Sequence, residues 1–289
     1  DCGILTKSKE ATLKEDTLKE INEHLTMAFD EPALSSNETK ELNDVFQEFE
    51  IEHISPNNDQ QELRLVDAIA QGLGQAMKQH DNLVIMGQDI AEYGGVFKIT
   101  EGLLERFGSG RVRNTPICES AILSAAMGLS INGFKTVVEM QFADFVSSGF
   151  NPIVNYLAKT NYRWGQNADV VIRMPCGAGV GAGPFHSQTN EAWFTHTPGL
   201  KVVYPAFPDD AKGLLAASIA DPNPVLFFEH KALYRSVRGM VSKNFYHLPL
   251  GKANVLTRGE HLTIITYGAG VHWALELEDS LKSQCRIVD

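Results

Sequence analysis

Short apolar segments alternate with helical segments from residue 65 onward, and this alternation restricts the fold more than any other feature. The apolar segments lie at 83–86, 136–138, 170–172, 202–204, 225–228 and 262–266. The helical segments lie at 65–77, 102–107, 144–159, 209–220 and 271–281. Apolar strands that are separated by helices indicate a parallel sheet with helices on both faces. We therefore predict an α/β fold, whose ligands would bind beyond the carboxyl ends of the strands.

Charge divides the sequence into an acidic N-terminal part and a neutral remainder. Residues 1–62 contain 16 Asp and Glu but only five Lys, whereas the remaining residues contain 20 of each sign. We predict four regions. They are a helical leader at 1–46, a polar linker at 47–62, the main α/β domain at 63–248 and the start of a second α/β domain at 249–289. Since that second domain would stop after about forty residues, at the beginning of a strand, we expect the sequence to be part of a longer chain.

The leader is predicted to contain one helix. Thr12 and Glu15 have the spacing of a capping box, which predicts that the helix begins at Thr12. One face of this helix would be apolar, formed by Leu18, Ile21, Leu25 and Ala28. The segment 31–37 includes Pro32 and several small polar residues, so we expect it to end the helix.

Hydropathy, charge and cysteine spacing argue against several classes of function. No stretch of 18 apolar residues is present, which argues against a membrane span, and the N-terminus lacks a signal peptide. The net charge of −11 argues against nucleic-acid binding, since contacts with phosphate need basic clusters. The cysteines form no Cys-x-x-Cys pair, which indicates a reducing compartment and no cysteine-based metal site. They are Cys2, Cys118, Cys176 and Cys285.

Glu119 is a candidate functional residue because of the segments around it. It follows a strand-like stretch, and the helix-forming run at 121–129 has almost no polar side chains. Desolvation favours the protonated form of a carboxyl group, so a buried Glu119 would be able to share a proton with a ligand. The alternative is a carboxylate at a helix N-terminus that stabilises the helix dipole. The residue alone does not decide between the two.

Three further segments follow predicted strands. They lie at 141–145, 177–188 and 228–235. The glycine-rich segment 177–188 lacks the Gly-Lys-Ser/Thr of a phosphate-binding loop, and on composition alone it is either a surface loop or a ligand loop. His186, near its end, is either structural or catalytic. The alternative to a functional role is a core aromatic residue for Phe145 and a helix N-cap for Asp144.

Seven ordered segments resemble one known family. They are MGQDI (86–90), GGVF (94–97), RVRNTPICE (111–119), QFADF (141–145), HSQ (186–188), PGLKVV (198–203) and DAKGLL (210–215). With them, residues 63–289 resemble the beta subunit of the thiamine-diphosphate-dependent, decarboxylating component of 2-oxo acid dehydrogenase complexes. The resemblance implies a transketolase-like pyrimidine-binding domain, followed by the start of that subunit's C-terminal domain.

The leader has a resemblance of its own. The residues Gly3-Ile4-Leu5-Thr6, the charged helix and the residues Asp44-Val45-Phe46 are similar to the C-terminal tail of the partner alpha subunit. This implies that the alpha and beta parts are fused in one polypeptide. The charge division noted above lies near the same junction.

The family resemblance implies roles for five residues. Glu119 would hydrogen-bond a ring nitrogen of the cofactor's aminopyrimidine, and sharing that proton favours the imino tautomer that deprotonates the thiazolium. Phe145 would pack on the pyrimidine, while Ile117 and Gln141 would line its pocket. His186 would orient the 2-oxo acid or move protons during transfer to lipoamide. Glu119 and His186 are thus the predicted catalytic residues.

The resemblance also implies cofactor and metal binding. Thiamine diphosphate would be the cofactor, and its Mg²⁺ would be held mainly by a Gly-Asp-Gly motif of the alpha subunit, which this sequence lacks. The chain alone would therefore bind the cofactor weakly and be inactive. A monovalent cation such as K⁺ would bind near the carbonyls of Val170 and Val171, with Asp221 and Asn223. A turn at 221–224 explains the last two residues equally well.

The predicted function is decarboxylation of a 2-oxo acid and transfer of the acyl group to lipoamide. The segments 228–231 and 233–235 are more similar to branched-chain (2-oxoisovalerate) subunits, with pyruvate or acetoin as alternative substrates of the same family. Transketolase and deoxyxylulose-phosphate synthase share the pyrimidine domain and are a second enzyme alternative. A non-catalytic assembly module of the complex is the alternative from another class.

The resemblance implies several partners. They are an alpha-type domain, fused or in a second copy, and the lipoyl-bearing acyltransferase core. We expect a dimer or an alpha₂beta₂-like assembly. The expected location is the cytoplasm in a bacterium or the mitochondrial matrix in a eukaryote.

Overall fold

The computed structural model describes residues 4–278 and 285–289. The chain forms two compact units, which divide between Glu41 and Leu42. Residues 42–46, which were predicted to belong to the leader, are therefore part of the second unit.

The first unit consists mainly of one long helix, α1 (Lys7–Asp30). The hydroxyl oxygen of Thr6 accepts a hydrogen bond from the backbone N–H of Lys9 at 3.2 Å and caps the helix. The prediction that the helix begins at Thr12 is wrong, because the Thr6 cap starts it earlier. Thr12 instead donates its hydroxyl to the carbonyl of Ser8, inside the helix.

The helical and strand segments of the second unit alternate as predicted. The remaining helices of the described residues are α2 (Glu38–Asn43), α3 (Leu65–Gln79), α4 (Leu103–Phe107), α5 (Glu119–Ile131), α6 (Thr160–Trp164), α7 (Pro208–Ala220), α8 (Leu233–Ser236) and α9 (Ala269–Glu278). The strands are β1 (Gln60–Arg64), β2 (Leu83–Gly87), β3 (Val112–Asn114), β4 (Lys135–Glu139), β5 (Val170–Cys176), β6 (Lys201–Val203), β7 (Val225–His230), β8 (Arg238–Ser242), β9 (Leu262–Ile265) and β10 (Cys285–Val288). The predicted helix at 271–281 begins earlier, at Ala269, and residues 279–281 lie outside the described residues.

Six strands form one sheet in the order β3-β2-β4-β5-β7-β6, and every pair of neighbours is parallel. Side chains alternate between its two faces, as the pleat of a strand requires. On β2, Ile85 packs into a core with α3 and α7, while Val84 and Met86 pack into a second core with α5. The prediction of a parallel sheet with helices on both faces is confirmed.

The segment predicted as a helix at 144–159 is helical but irregular. It consists of a 3-10 helix (Ala143–Gly149), a π-helical turn (Pro152–Tyr156) and a second 3-10 turn (Leu157–Lys159). Pro152 has no N–H to donate, so a regular α-helix cannot run through it without losing a hydrogen bond.

The predicted linker at 47–62 is attached to the main body by strand pairing and hydrogen bonds. Its last residues belong to β1, which pairs antiparallel with β8. At its other end, the backbone N–H of Gln47 donates to Oδ1 of Asn223, and Nδ2 of Asn223 donates to the Gln47 carbonyl. The polar composition indicated a linker, but polar side chains also satisfy backbone groups at the surface of a domain.

The C-terminal strands lie outside the central sheet. β9 pairs in parallel with β10 in a two-stranded sheet, with α9 between them in sequence. A strand–helix–strand order is the one expected for the start of the second α/β domain predicted at 249–289. The boundary itself stays a prediction.

Candidate active site

Glu119 is the first residue of α5, and its side chain is half-buried. Oε1 accepts a hydrogen bond from Nε2 of Gln88 at 3.1 Å. Among the described residues, Oε2 has no hydrogen-bond partner and Glu119 forms no ion pair. The carboxylate is less buried than predicted, because residues 116–118, which lead into the helix, are exposed.

The residues directly after β2 fix two of the predicted site residues. Gln88, only 6% exposed, contacts Glu119, and the carboxylate of Asp89 accepts a hydrogen bond from Nε2 of Gln141 at 3.3 Å. Asp89 has a left-handed backbone conformation with φ 55°, which is uncommon for a residue other than glycine. Its carbonyl accepts a hydrogen bond from the N–H of Gly95 at 2.8 Å, which stabilises this conformation.

Phe145 and His186 belong to one aromatic cluster. The ring of Phe142 lies 5.7 Å from Phe145 and 4.7 Å from His186, and the Phe145 and His186 rings are 5.5 Å apart. All three contacts are edge-to-face, the arrangement that aromatic rings favour. The structure therefore brings together two residues that are 41 positions apart in the sequence.

The 3-10 segment that contains Phe145 packs on α5. A Cβ atom at Gly149 would lie 2.3 Å from Cδ1 of Leu123 and 3.6 Å from the carbonyl oxygen of Glu119. A larger residue at 149 would therefore require Leu123 to shift. Ile117, whose side chain is 84% exposed, precedes α5. Phe145 and His186 are thus in direct contact, while Glu119 and Gln141 are bonded to the adjacent residues Gln88 and Asp89. Ile117 presents an uncovered apolar side chain two residues before Glu119.

Asp144 holds the end of the glycine-rich loop. Its Oδ1 accepts hydrogen bonds from the backbone N–H groups of Ser187 at 3.1 Å and Gln188 at 3.0 Å. Asp144 lies inside its 3-10 helix and makes no N-cap bond there, so the alternative of a helix N-cap is wrong. The carboxylate instead fixes the two residues that follow His186.

A buried ammonium group lies beneath the aromatic cluster. Nζ of Lys231 is 5.4 Å from the centre of the Phe142 ring. Neither this Nζ nor the buried Oδ2 of Asp144 has a hydrogen-bond partner in the part of the chain that the structure describes. Burial lowers the pKa of Lys231, while Cys176 and Asp144 act in the opposite direction. The sequence analysis gave no role to Lys231, although a lysine directly after an apolar strand indicates a functional role.

The centre of the sheet contains a charged network that the sequence analysis did not identify. Arg173 on β5 donates to Glu229 on β7 at 2.7 and 2.8 Å and to Glu139 on β4 at 2.7 Å. The hydroxyl of Tyr234 donates to Glu229 at 2.5 Å. Burial lowers the pKa of Arg173, but the two carboxylates outweigh burial and leave that pKa raised. An arginine in the otherwise apolar run 170–176 was the signal for this network.

The residues predicted to bind a monovalent cation lie at the opposite edge of the sheet, where β5 and β7 begin. The backbone N–H of Ala168, next to this edge, donates to the carbonyl of Pro222. Oδ2 of Asp221 pairs with Nζ of Lys201 at 2.5 Å, and Oδ1 accepts from Asn223. Lys201 therefore already supplies a positive charge to Asp221. Val170 and Val171 are buried on β5, and the cation site stays a prediction.

No group of three or more His, Cys, Asp and Glu residues in the described part of the chain could hold a metal ion. No described helix is long and apolar enough to cross a membrane.

Comparisons with known proteins agree with the fold. Residues 61–237 match the family model for the transketolase pyrimidine-binding domain. The 2-oxoisovalerate dehydrogenase subunit beta of Bacillus subtilis (strain 168) is 44% identical over 219 residues, which are 75% of this chain and 67% of that protein. The pyruvate dehydrogenase E1 component subunit beta of the same strain is 42% identical over 223 residues, which are 76% of this chain and 69% of that protein.

Two further matches add detail. The mitochondrial 2-oxoisovalerate dehydrogenase subunit beta of Dictyostelium discoideum is 39% identical over 286 residues, which are 96% of this chain and 76% of that protein. This alignment extends into the acidic N-terminal residues, and the alpha-subunit tail predicted there stays a prediction. A solved split-gene transketolase, an inactive beta4 tetramer, has a TM-score of 0.63 at 21% identity and covers 78% of this chain and 71% of its own. That likeness shows the fold alone.

The family model covers more than half of the chain. Each of the three dehydrogenase subunits above is identical to this chain at more than a third of the aligned residues. The chain belongs to the transketolase pyrimidine-binding domain family and, within it, to the beta subunits of 2-oxo acid dehydrogenases.

Proposed function

We propose that this chain supplies the pyrimidine-binding half of a thiamine-diphosphate site, in an enzyme that decarboxylates a 2-oxo acid and passes the acyl group to lipoamide. The observation that carries the proposal is the geometry of Glu119. One of its carboxylate oxygens is held by Gln88, and the other is free at the carboxyl edge of the sheet. Ligands of open parallel sheets bind at this edge.

The residues present fit an aminopyrimidine ring. A free carboxylate oxygen can share a proton with a basic ring nitrogen, because a carboxyl group donates when it is protonated and accepts when it is ionised. The exposed Ile117 and the ring of Phe145 offer apolar surface to the faces of such a ring. Stacking on an aromatic side chain contributes about 0.5–1.5 kcal/mol beyond the burial of area.

When bound, thiamine diphosphate supplies the chemistry that stabilises a carbanion, and the protein binds and orients it. Glu119 would hold or release a proton at Oε2 toward the pyrimidine. Phe145 and Gln141 would orient the ring. His186, packed on Phe142 and Phe145, would orient the 2-oxo acid or transfer a proton near the acyl group.

The other half of the site would come from an alpha-type domain, fused or in a second copy. That domain would hold the diphosphate and Mg²⁺. A dimer or an alpha₂beta₂-like assembly that binds a lipoyl-bearing acyltransferase core would complete the enzyme. Its location would be the cytoplasm of a bacterium or the mitochondrial matrix. A bound K⁺ near Val170, Val171, Asp221 and Asn223 would have to displace Lys201 from Asp221.

We favour a branched-chain 2-oxo acid as substrate, because the segments 228–231 and 233–235 resemble the branched-chain subunits. Identities of 44% to a 2-oxoisovalerate subunit and 42% to a pyruvate subunit do not separate the two substrates. The ratio of kcat/KM for 3-methyl-2-oxobutanoate to that for pyruvate in the assembled enzyme decides between them. A ratio below one would overturn the branched-chain assignment.

The central test is Glu119→Gln in the enzyme assembled with its alpha-type partner, with turnover of 2-oxo acid followed by reduction of a dye. The amide keeps the shape of the side chain but cannot share the proton. General acid–base catalysis contributes about 10²–10⁴-fold, so we expect turnover to fall by at least about 10²-fold. Glu101→Gln, on an exposed glutamate outside the site, is the matched control. Unchanged turnover in Glu119→Gln would favour a non-catalytic assembly module.

A further inference from the structure

Gln88 is a buried polar side chain whose one side-chain hydrogen bond among the described residues is to Glu119. Its side chain is 6% exposed, and its amide lies 3.1 Å from Oε1 of Glu119. Burial of a primary amide is unfavourable unless the amide is hydrogen-bonded. The contact joins the end of β2 to the first residue of α5, two elements that are far apart in sequence.

From this contact we propose that Gln88 is a positioning residue for Glu119, which fixes Oε1 so that Oε2 faces the pyrimidine. The inference rests on the proposed function and adds to it the residue that orients the carboxylate. An amide N–H is a donor only, so it fixes the one carboxylate oxygen that accepts from it and leaves the other oxygen to the ring nitrogen.

The neutrality of Gln88 matters as much as its position. A guanidinium or ammonium at the same place would bind Glu119 as an ion pair and hold its charge permanently. Hydrogen bonds in which a partner is charged are roughly twice as strong as those between neutral groups, and an ion pair adds the attraction of the second charge. A neutral amide orients the carboxylate and leaves it able to exchange a proton.

The backbone on both sides of Gln88 is fixed by its neighbours. A Cβ atom at Gly87 would lie 2.8 Å from the carbonyl oxygen of Glu139, so only glycine fits between the two strands there. The carbonyl of Gly87 also accepts a hydrogen bond from the N–H of Thr115 at 2.9 Å. On the other side, Asp89 is held at φ 55° and contacts Gln141. Strained residues of this kind persist where the surrounding structure holds them, which is common at functional sites.

The test uses Gln88→Met in the assembled enzyme, since methionine keeps the length of the side chain and removes the donor. The matched control is Gln75→Met, which removes the bond from Nε2 of Gln75 to the carbonyl of Lys243, outside the site. We expect Gln88→Met to lower kcat about tenfold or more, the loss of one hydrogen bond to a charged group. We also expect a change in the near-UV circular dichroism of bound thiamine diphosphate. Gln75→Met should change neither.

A double-mutant cycle separates positioning from packing. If Gln88 acts through Glu119, Gln88→Met weakens thiamine-diphosphate affinity measurably in the wild-type background and by less than about twofold in a Glu119→Ala background. An equal effect in both backgrounds would overturn the inference. If Glu119→Ala itself left affinity and turnover unchanged, the proposed function would fail, and with it the reason for positioning Glu119. The two failures are therefore distinct.

Gln88→Glu provides a second test, which does not depend on whether the methionine variant folds. The introduced carboxyl group keeps the shape of glutamine, but it can donate to Glu119 only while it is protonated. Its turnover relative to wild type should therefore recover as the pH is lowered. A relative turnover that is independent of pH would show that only the shape of Gln88 matters, and would overturn the inference.

Discussion

Arg173 and Glu229 form a two-point ion pair in the middle of the central sheet, with Nε and Nη2 of the arginine 2.7 and 2.8 Å from the two carboxylate oxygens. Both side chains are fully buried. Nη1 of Arg173 reaches Glu139 as well, so one guanidinium serves two carboxylates. The three charged residues of the network lie on β4, β5 and β7. The carboxyl ends of these strands lead into Gln141, the glycine-rich loop and Lys231, respectively.

The first prediction concerns the stability of this network. Arg173→Met leaves two buried carboxylates without their partner, and removing one member of a buried ion pair costs about 3–5 kcal/mol. The free energy of unfolding, measured by urea denaturation, should fall by that amount. Lys135→Met, which breaks the more exposed pair with Asp169, should cost about 1 kcal/mol or less. A loss below about 1 kcal/mol for Arg173→Met would contradict the prediction.

The second prediction concerns pH and His80. Burial lowers the pKa of His80, and Lys135 adds to the effect; Nε2 is buried and has no hydrogen-bond partner among the described residues. The folded state therefore binds fewer protons than the unfolded state between the lowered pKa and about 6.5. The contribution of His80 to stability should be fully present above about pH 6.5 and should be lost as the pH falls through this window to the lowered pKa.

The variant His80→Gln tests this assignment, because glutamine does not titrate. Its urea midpoint should depend less on pH between 7.5 and 5.5 than the wild-type midpoint does. His24→Gln, on the exposed helix α1, is the control and should leave the pH dependence unchanged. Equal pH dependence in His80→Gln and the wild type would refute the role of His80.

The fold could be predicted from sequence where local pattern and tertiary packing agree. The apolar strands at 83–86 and 225–228 are buried on both faces, so their composition alone identifies them. The segment 143–159 was harder, because Pro152 and the contact of Gly149 with Leu123 impose irregular turns on a helical composition. β1 was missed because a strand at the edge of a domain has polar residues on its exposed face.

The site could be predicted less completely, since a motif names residues but not their contacts. Glu119 and His186 were candidates from their segments. The hydrogen bond from Gln88 joins residues 31 positions apart, and the bonds from Ser187 and Gln188 to Asp144 join residues more than forty positions apart. No local pattern encodes such contacts. They follow from the order of the strands, which brings β2, β4 and β5 together at one edge.

The third prediction concerns Lys201 and the predicted cation site. Asp221 is 1% exposed, and Lys201→Met leaves its carboxylate without a charged partner. We expect a loss of about 1–3 kcal/mol in the free energy of unfolding.

Replacing Na⁺ by K⁺ should then stabilise Lys201→Met more than the wild type, because a ligand that binds only the folded state stabilises it. Lys243→Met, which breaks an exposed pair with Asp59, is the control. A wild type that is itself stabilised by K⁺ over Na⁺ would show that the cation binds despite Lys201.

The fourth prediction concerns Asp144 and the loop that carries His186. Asp144→Ala removes the acceptor of two backbone hydrogen bonds, so the loop end at Ser187 and Gln188 should open more often. Phe185, whose side chain is 76% exposed, is a cleavage site for chymotrypsin beside His186. Mass spectrometry should show that Asp144→Ala is cleaved there about tenfold faster than the wild type or more. This is the effect expected when hydrogen bonds to a charged group are lost.

Asp144→Asn is the matched control for this loop, since its amide oxygen can still accept the bonds from Ser187 and Gln188. Cleavage at Phe185 should therefore stay close to the wild-type rate. If Asp144→Ala were cleaved no faster than the wild type, the aromatic contacts of His186 with Phe142 and Phe145 would be sufficient to hold the loop. In the assembled enzyme, Asp144→Ala should also lower kcat, because a misplaced His186 cannot orient the 2-oxo acid.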